Sequence, residues 1–337
     1  MPTPPLSAPA ALALDCPAEA RRIAEFLVHT VARRLHRRGL VLGVSGGIDS
    51  AVCLALAVQA LGPDRVFALL MPEADSSDDD ATARARRLCE SLRVAYAVED
   101  ITAALDGAGC YRRRDEAIRR ILPDFGTGWR HKIVLSDAWT ARDAIPFFNL
   151  VAESPSGGRL TLRMPREVYL QVVAATNFKQ RIRKTLEYYH AERLNYAVLG
   201  TPNRLEYELG FFVRGGDGLA DLKPIAHLYK TQVYALAGHL GVPEEIRRQP
   251  PSTDTYSLPQ TQEEFYFALP YDKADLLLHA MNTGLSPASV APALGLEPVQ
   301  VERACRDFQG KRRHAARTLR EAWLVEEIVL ADKGEAA

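Results

Sequence analysis

The sequence predicts an α/β fold, a doubly wound and mainly parallel sheet of the Rossmann-like kind, and three observations predict it. Leu40 to Val44 is a short apolar run suited to a strand buried on both faces. A glycine-rich turn, Ser45-Gly46-Gly47-Ile48-Asp49-Ser50, follows at once and leads into Ala51 to Leu61, apolar nearly all round as a helix packed on a sheet is. The rhythm then repeats: Gly62-Pro63-Asp64 turns the chain into a second strand at Val66 to Met71, with a third expected at Val94 to Val98.

The flanking elements follow from periodicity and punctuation. Residues 1–14, rich in proline and alanine, read as a flexible arm ahead of one unit spanning 15–337. Ile23, Phe26, Leu27, Val31 and Leu35 recur at helical spacing, and Gly39 ends that helix. Ser76 or Ser77 is expected to cap a further helix whose first turn holds Asp78, Asp79 and Asp80, where the dipole favours acids. From about 102 to 170 the rhythm breaks. That stretch is basic at Arg112-Arg113-Arg114, Arg119-Arg120 and Arg130-His131-Lys132, has turn signals at Gly126 and Ser154 to Gly158, and reads as an insertion with its own hairpin or small helices. A long helix from about Val172 to Glu192, a strand at Tyr196 to Leu199, and a helix from Lys230 to Leu240 stopped by Gly241-Val242-Pro243 come next. The region from about 270 to 330 reads as amphipathic helix.

Bulk composition limits function. Among 337 residues, 42 Lys plus Arg balance 42 Asp plus Glu, so no net charge draws the chain to nucleic acid or an acidic membrane. The five cysteines are scattered without a C-x-x-C pair, which suits free thiols in a reducing cytosol and argues against a zinc site or disulfide framework. No stretch is apolar and charge-free over the ~18 residues a membrane helix needs. A cytoplasmic protein with no membrane partner is expected.

The glycine turn carries the chemistry. Lying between a strand and a helix N-terminus, it presents free backbone N–H groups and the positive end of the helix dipole, a phosphate site. Gly46 and Gly47 let the backbone close on an anion, Ser45 and Ser50 add hydroxyl donors, and Gly43 and Val44 lead into the turn. Asp49 beside a phosphate implies an intervening cation, read as Mg²⁺. The lysine of a Walker A motif is absent from the turn, and so is G-x-G-x-x-G. Ser45 to Ser50 resembles the SGGxDS pyrophosphate loop of the N-type ATP pyrophosphatases, which cleave ATP between the α and β phosphates. The resemblance implies ATP held by Gly43, Val44, Ser45, Gly46, Gly47, Ile48, Asp49 and Ser50, with adenine near the Leu70-Met71 strand end.

Later segments resemble one branch of that superfamily, the ammonia-dependent NAD synthetases. Leu199-Gly200-Thr201-Pro202-Asn203-Arg204-Leu205-Glu206 is similar to their GT-N/H-x-x-E segment, which implies Thr201 on ATP and Glu206 on magnesium with Asp49. Phe211 to Ile225 is similar to their GFFTKxGDGxxDxxPL block, placing Arg214 and Asp221 on the dinucleotide substrate. Lys230, in Leu228-Tyr229-Lys230-Thr231-Gln232, and Ser252, in Pro250-Pro251-Ser252, match residues that hold the ATP phosphates and serve catalysis with Asp49. Asn177 to Arg183 resembles N-x-K-A-R-x-R at the start of a dimer-forming helix, which implies Arg181 on deamido-NAD and a homodimer. On helical spacing Arg181 shares a face with Lys184 while Arg183 points elsewhere. Lys311-Arg312 resembles a terminal H-K-R contact with Gly310 in place of the histidine, which adds Lys311 to the substrate set.

The function implied is adenylation of the nicotinate carboxylate of deamido-NAD by ATP, then amination to NAD. Lacking a recognisable amidotransferase motif, the chain would take ammonia free or from a separate glutaminase. The long insertion, and the loose similarity of the Phe265 to Tyr271 run, keep a second expectation open: the same chemistry on another carboxylate of specialised or surface-polymer metabolism. A tRNA-modifying enzyme would need a cysteine pair and a basic face, and a non-catalytic scaffold would have lost Asp49 or Glu206.

Overall fold

Helix α1 (Cys16–His29) starts where the Asp15 carboxylate accepts the Ala18 N–H at 3.0 Å, and it buries Ala20, Ile23 and Leu27. The computed structural model describes residues 11–75, 78, 80–136, 147–251, 255–320, 322–326 and 328. The expected rhythm then appears as β1 (Leu40–Gly43), α2 (Ile48–Leu61), β2 (Val66–Leu70), α3 (Ala81–Ser91) and β3 (Ala95–Val98). Next come α4 (Thr102–Gly107), α5 (Cys110–Arg119), strands β4 (Arg130–Leu135), β5 (Phe148–Glu153) and β6 (Arg159–Arg163), helices α6 (Arg166–Thr176) and α7 (Phe178–Leu194), and β7 (Ala197–Val198). The α-helices of the remainder are α8 (Arg204–Leu209), α9 (Lys230–His239), α10 (Glu244–Arg247), α11 (Tyr271–Thr283), α12 (Pro287–Leu294) and α13 (Pro298–Leu319).

The main sheet runs β3-β2-β1-β7 with every pairing parallel, Leu40 opposite both Val66 and Ala197. Alternation along β1 explains why the whole run is apolar. Leu40 and Leu42 pack with α1, α2, α3 and α9 on one face, while Val41 packs with Leu69, Val198 and Ala191 of α7 on the other. The chain goes from β1 to β2 on one side and returns to β7 on the other, so a crevice opens beyond the carboxyl end of β1.

The insertion folds as both devices expected of it. β4, β5 and β6 form an antiparallel meander, closed at Ser154 to Gly158 where Ser154 N–H donates to Gly158 O at 2.8 Å. Its core joins Phe125, Ile133, Leu150 and Ala152 to Val168 and Val172 of α6. A third core gathers Leu205 and Leu209 with Leu276, Leu277, Val301 and Phe308 of the C-terminal helices.

Three expectations are corrected. The long helix is two, α6 and α7, meeting at Asn177; Thr176 Oγ1 donates back to Val172 O at 2.8 Å, and α6 packs on the insertion while α7 packs on the sheet. Asp78 lies ahead of α3 rather than in its first turn and pairs with Arg84; Ser76, Ser77 and Asp79 lie outside the described residues. Of the expected arm, residues 11–14 are described, and Leu12 is buried against the third core rather than free.

Candidate active site

A cavity of about 840 Å³ occupies the crevice. Its first wall is Gly43 to Ser50 with Leu69 to Ala74, so the Leu70-Met71 strand end expected at the adenine lines it. Gly46 stands at φ +79°, and a Cβ there would sit 2.5 Å from the Ala81 carbonyl oxygen, so the turn is pressed against the start of α3. Gly47 is the extended N-cap of α2, which leaves the first-turn N–H groups of that helix at the cavity. The serines hold the turn together. Ser45 N–H donates to Ser50 Oγ at 3.3 Å, Gly47 N–H to Ser45 Oγ at 3.3 Å, and the Ser50 hydroxyl to Gly47 O at 3.0 Å.

Asp49, Glu206 and Lys230 meet on the far side of this turn. The Lys230 ammonium, 1% exposed, donates to Asp49 Oδ2. Burial opposes the Lys230 charge, but the Asp49 and Glu206 carboxylates outweigh it, and its pKa lies above the ordinary lysine value. Asn203, fully buried, ties the two acids together. As N-cap of α8 it accepts the Glu206 N–H at 3.2 Å, its own N–H donates to Glu206 Oε2 at 3.0 Å, and its Nδ2 donates to Asp49 Oδ1 at 3.2 Å. Burial first, then the charge of Asp49, push the Glu206 carboxyl up to about 8. Two crowded carboxylates, one of them that reluctant to ionise, form the kind of donor set a hard divalent cation relieves.

Thr201 also lines the cavity, beyond the end of β7. Ser252 lies outside the described residues, while its neighbours Pro250 and Pro251 line the wall. Four residues expected on the substrate are not brought to the cavity. Arg181 is exposed and its Nε donates to Arg214 O at 3.2 Å; Arg214 reaches Arg320 O at 3.4 Å. Asp221 accepts the Val198 N–H at 2.7 Å and the Tyr188 hydroxyl at 3.2 Å, bracing β7 against α7. Lys311 donates to Tyr266 O at 2.7 Å and pairs with Asp307. The facing of α7 is reversed from expectation: Arg183 lines the cavity, its Nε 3.3 Å from Met71 O, and Arg181 does not.

Other cavity residues went unnoticed in the sequence. Gln262 donates to Glu206 Oε1 at 3.1 Å. Arg84, mostly buried, lines the wall with its Nε unpartnered, and His314 of α13 lines it from the opposite end. Glu187 is buried beside Gly43, its carboxyl raised by burial and held by Lys184 at 2.6 Å. Behind the site Asp275 accepts the Lys230 and Thr231 N–H groups at 3.1 and 2.7 Å, fixing the start of α9; burial pushes its carboxyl up to about 6. The Asn203 box was readable as Asn-x-x-Glu; the others carry no local signature.

The sequence model of the NAD synthase family matches residues 19–116 and 162–317. The chain belongs to the NAD synthase family. The NH(3)-dependent NAD(+) synthetase of Rhizobium meliloti (strain 1021) is 58% identical over 302 residues, covering 90% of this chain and 90% of that protein. That of Thermotoga maritima (strain ATCC 43589 / DSM 3109 / JCM 10099 / NBRC 100826 / MSB8) is 42% identical over 241 residues, 72% of this chain and 79% of that one. Among solved structures, the NMN synthetase of Francisella tularensis shares the fold with a TM-score of 0.63 at 22% identity, over 93% of this chain and 99% of that one. The NAD synthase match brackets the insertion more narrowly than the sequence did, leaving 117–161, which contains β4, β5 and most of β6, outside it.

Proposed function

We propose that this chain is an ammonia-dependent NAD synthetase that adenylates the nicotinate carboxylate of deamido-NAD and aminates it, releasing AMP and pyrophosphate. The observation that carries the reading is the convergence of the SGGIDS turn, Asp49, Glu206 and Lys230 on one cavity. It is supported by relatives at up to 58% identity, which favour the dinucleotide over another carboxylate.

The turn's N–H groups and hydroxyls hold the β and γ phosphates, with Thr201 and Ser252 alongside. The bound carboxylate attacks the α-phosphorus and pyrophosphate leaves; Lys230, its charge secured against burial by the two acids beside it, stabilises the departing oxygen. Ammonia then displaces AMP from the acyl adenylate. No side-chain nucleophile is needed, because adenylation creates the leaving group and the protein contributes positioning and charge. Asp49 and Glu206 would hold Mg²⁺, which neutralises phosphate charge when bound. Asn203 holds both carboxylates and Gln262 holds that of Glu206.

Arg181, Arg214, Asp221 and Lys311 belong to this reading through the family pattern; they lie outside one chain's cavity, and a second copy would complete the site there. A homodimer belongs to this reading through the same family pattern. None of the described helices is long and apolar enough to cross a membrane. All five cysteines are free thiols, as suits a reducing, cytoplasmic setting. Ammonia arrives free or from a separate glutaminase.

The test is incubation of pure protein with ATP, Mg²⁺, ammonium and deamido-NAD, reading NAD and AMP by mass. Equimolar NAD and AMP are expected. Pyrophosphate release with another carboxylate and none with deamido-NAD would overturn the substrate.

A further inference from the structure

The insertion ends at the site through the outer edge of one strand. In the three-stranded sheet β4 is an edge, and residues 257–260 lie along its free side. Leu258 N–H donates to His131 O at 3.0 Å, His131 N–H to Ser257 Oγ at 2.9 Å, and the Gln260 amide to Ile133 O. Lys132 donates to Pro259 O at 3.1 Å and pairs with Glu264 at 2.8 Å, so one cation grips both ends of a six-residue stretch. Gln262 sits between those two anchors. It is 7% exposed, accepts the Tyr271 hydroxyl at 2.9 Å and donates to Glu206 Oε1 at 3.1 Å. Tyr256 and Phe265, which flank the stretch and line the cavity, pack in the insertion's core beside Ile133, Leu150 and Phe148.

An edge strand offers unpaired N–H and C=O groups to any extended chain beside it. Here the chain it takes is the segment carrying Gln262, the donor to Glu206 Oε1. Left unheld, those residues would have to be ordered afresh at each encounter with substrate, at an entropic cost for every residue fixed.

We propose that the insertion is a positioning device: the outer edge of β4 fixes residues 257–264 so that Gln262 holds the Glu206 carboxylate where a divalent cation needs it. Lys132 and Gln262 are positioning residues that act through Glu206. This rests on the reading of Glu206 as a metal ligand.

The test uses the full chain with Lys132→Met, Gln262→Ala and both together. In Lys132→Met, amide hydrogen exchange across 256–267 should quicken about tenfold with β1 and β2 unchanged, as loss of one hydrogen-bonded anchor allows. The half-saturating Mg²⁺ concentration for pyrophosphate release should rise several-fold in each single variant, with KM for ATP at saturating Mg²⁺ little altered. The double variant should be no worse than Gln262→Ala alone, because the two substitutions break one chain of contacts. Lys132→Arg should restore both readouts. Ser257→Ala, a milder loss at the same edge, should repeat the pattern more weakly. Unchanged exchange in Lys132→Met, faster exchange with wild-type Mg²⁺ dependence, or additive effects in the double variant would each overturn the proposal. Glu206→Gln separates this from the metal assignment: normal Mg²⁺ dependence there defeats the assignment itself, whatever the exchange data show for the edge.

Discussion

On the sheet side of the cavity, eight consecutive residues from Gly43 to Ser50, beside the Leu69 to Ala74 strand end, make the wall, and they are held by backbone geometry, a helix N-terminus and a backbone contact at Gly46. On the opposite side the wall is gathered from Tyr169, Tyr256, Gln262, Phe265 and His314, held by side-chain hydrogen bonds and by two separate cores. The first wall is local in sequence and has little room to vary. The second depends on contacts between residues more than a hundred apart, such as Lys132 with Glu264, and any one of them is replaceable at modest cost. Chemistry common to ATP-cleaving enzymes belongs on the first kind of wall, and adjustable features on the second.

The largest effect should come from the junction of the two walls. Asp49→Asn keeps shape but removes a charge facing Lys230, and turnover measured by pyrophosphate release should fall by about a thousandfold. Retention of a tenth of wild-type activity would mean the sheet side does not house the chemistry. Leu150→Ala hollows the insertion's core at a fully buried position, at a cost of about 2–5 kcal/mol. If the walls are separable, exchange protection should drop across β4 to β6 while β1, β2 and nucleotide affinity hold; loss on both sides would erase the distinction. Gly46→Ala tests the rigidity of the first wall. At φ +79° and 2.5 Å from the Ala81 oxygen, the added methyl should cost about 1–3 kcal/mol, seen as a lower melting temperature and weaker ATP binding.

The smallest effect concerns pH. His131 is buried between Phe125 and Tyr256 with its Nε2 unpartnered, and burial holds its pKa well below the ordinary value. Below about pH 6.5 the unfolded chain takes up a proton there that the folded chain refuses, so stability is present above that pH and is lost as pH falls. The slope is at most about 1.4 kcal/mol per pH unit for one proton. Ligand-free melting temperatures should decline from pH 6.5 to 5.5, more steeply in wild type than in His131→Phe. Equal slopes would show that the second wall does not carry this acid sensitivity.

The same contrast explains what could be read from the residues alone. The run Leu40 to Val44 and the glycine turn were legible because strand and turn each have a local pattern, while Thr201, Glu206 and Lys230 were singled out by the family's segments and line the same cavity. Gln262, Arg84 and His314 were not, since their place in the cavity follows from how distant segments pack. The facing of Arg181 and Arg183 was misjudged for a related reason. Spacing says which side chains share a face of α7 but not which face turns to the cavity, and Arg181 was placed on the substrate by the family pattern alone. The insertion's turn at Ser154 to Gly158 was visible, but nothing local says that the free side of β4 will be taken up by residues 257–260.

The Lys230–Asp49 contact gives the resting protein a counter-ion of its own making. On the proposed reading, nucleotide arrival is an exchange of partners: the ammonium leaves a carboxylate for a phosphate, and that carboxylate is freed for the incoming ion. A visitor bringing charge of one sign alone would then strand the partner left behind.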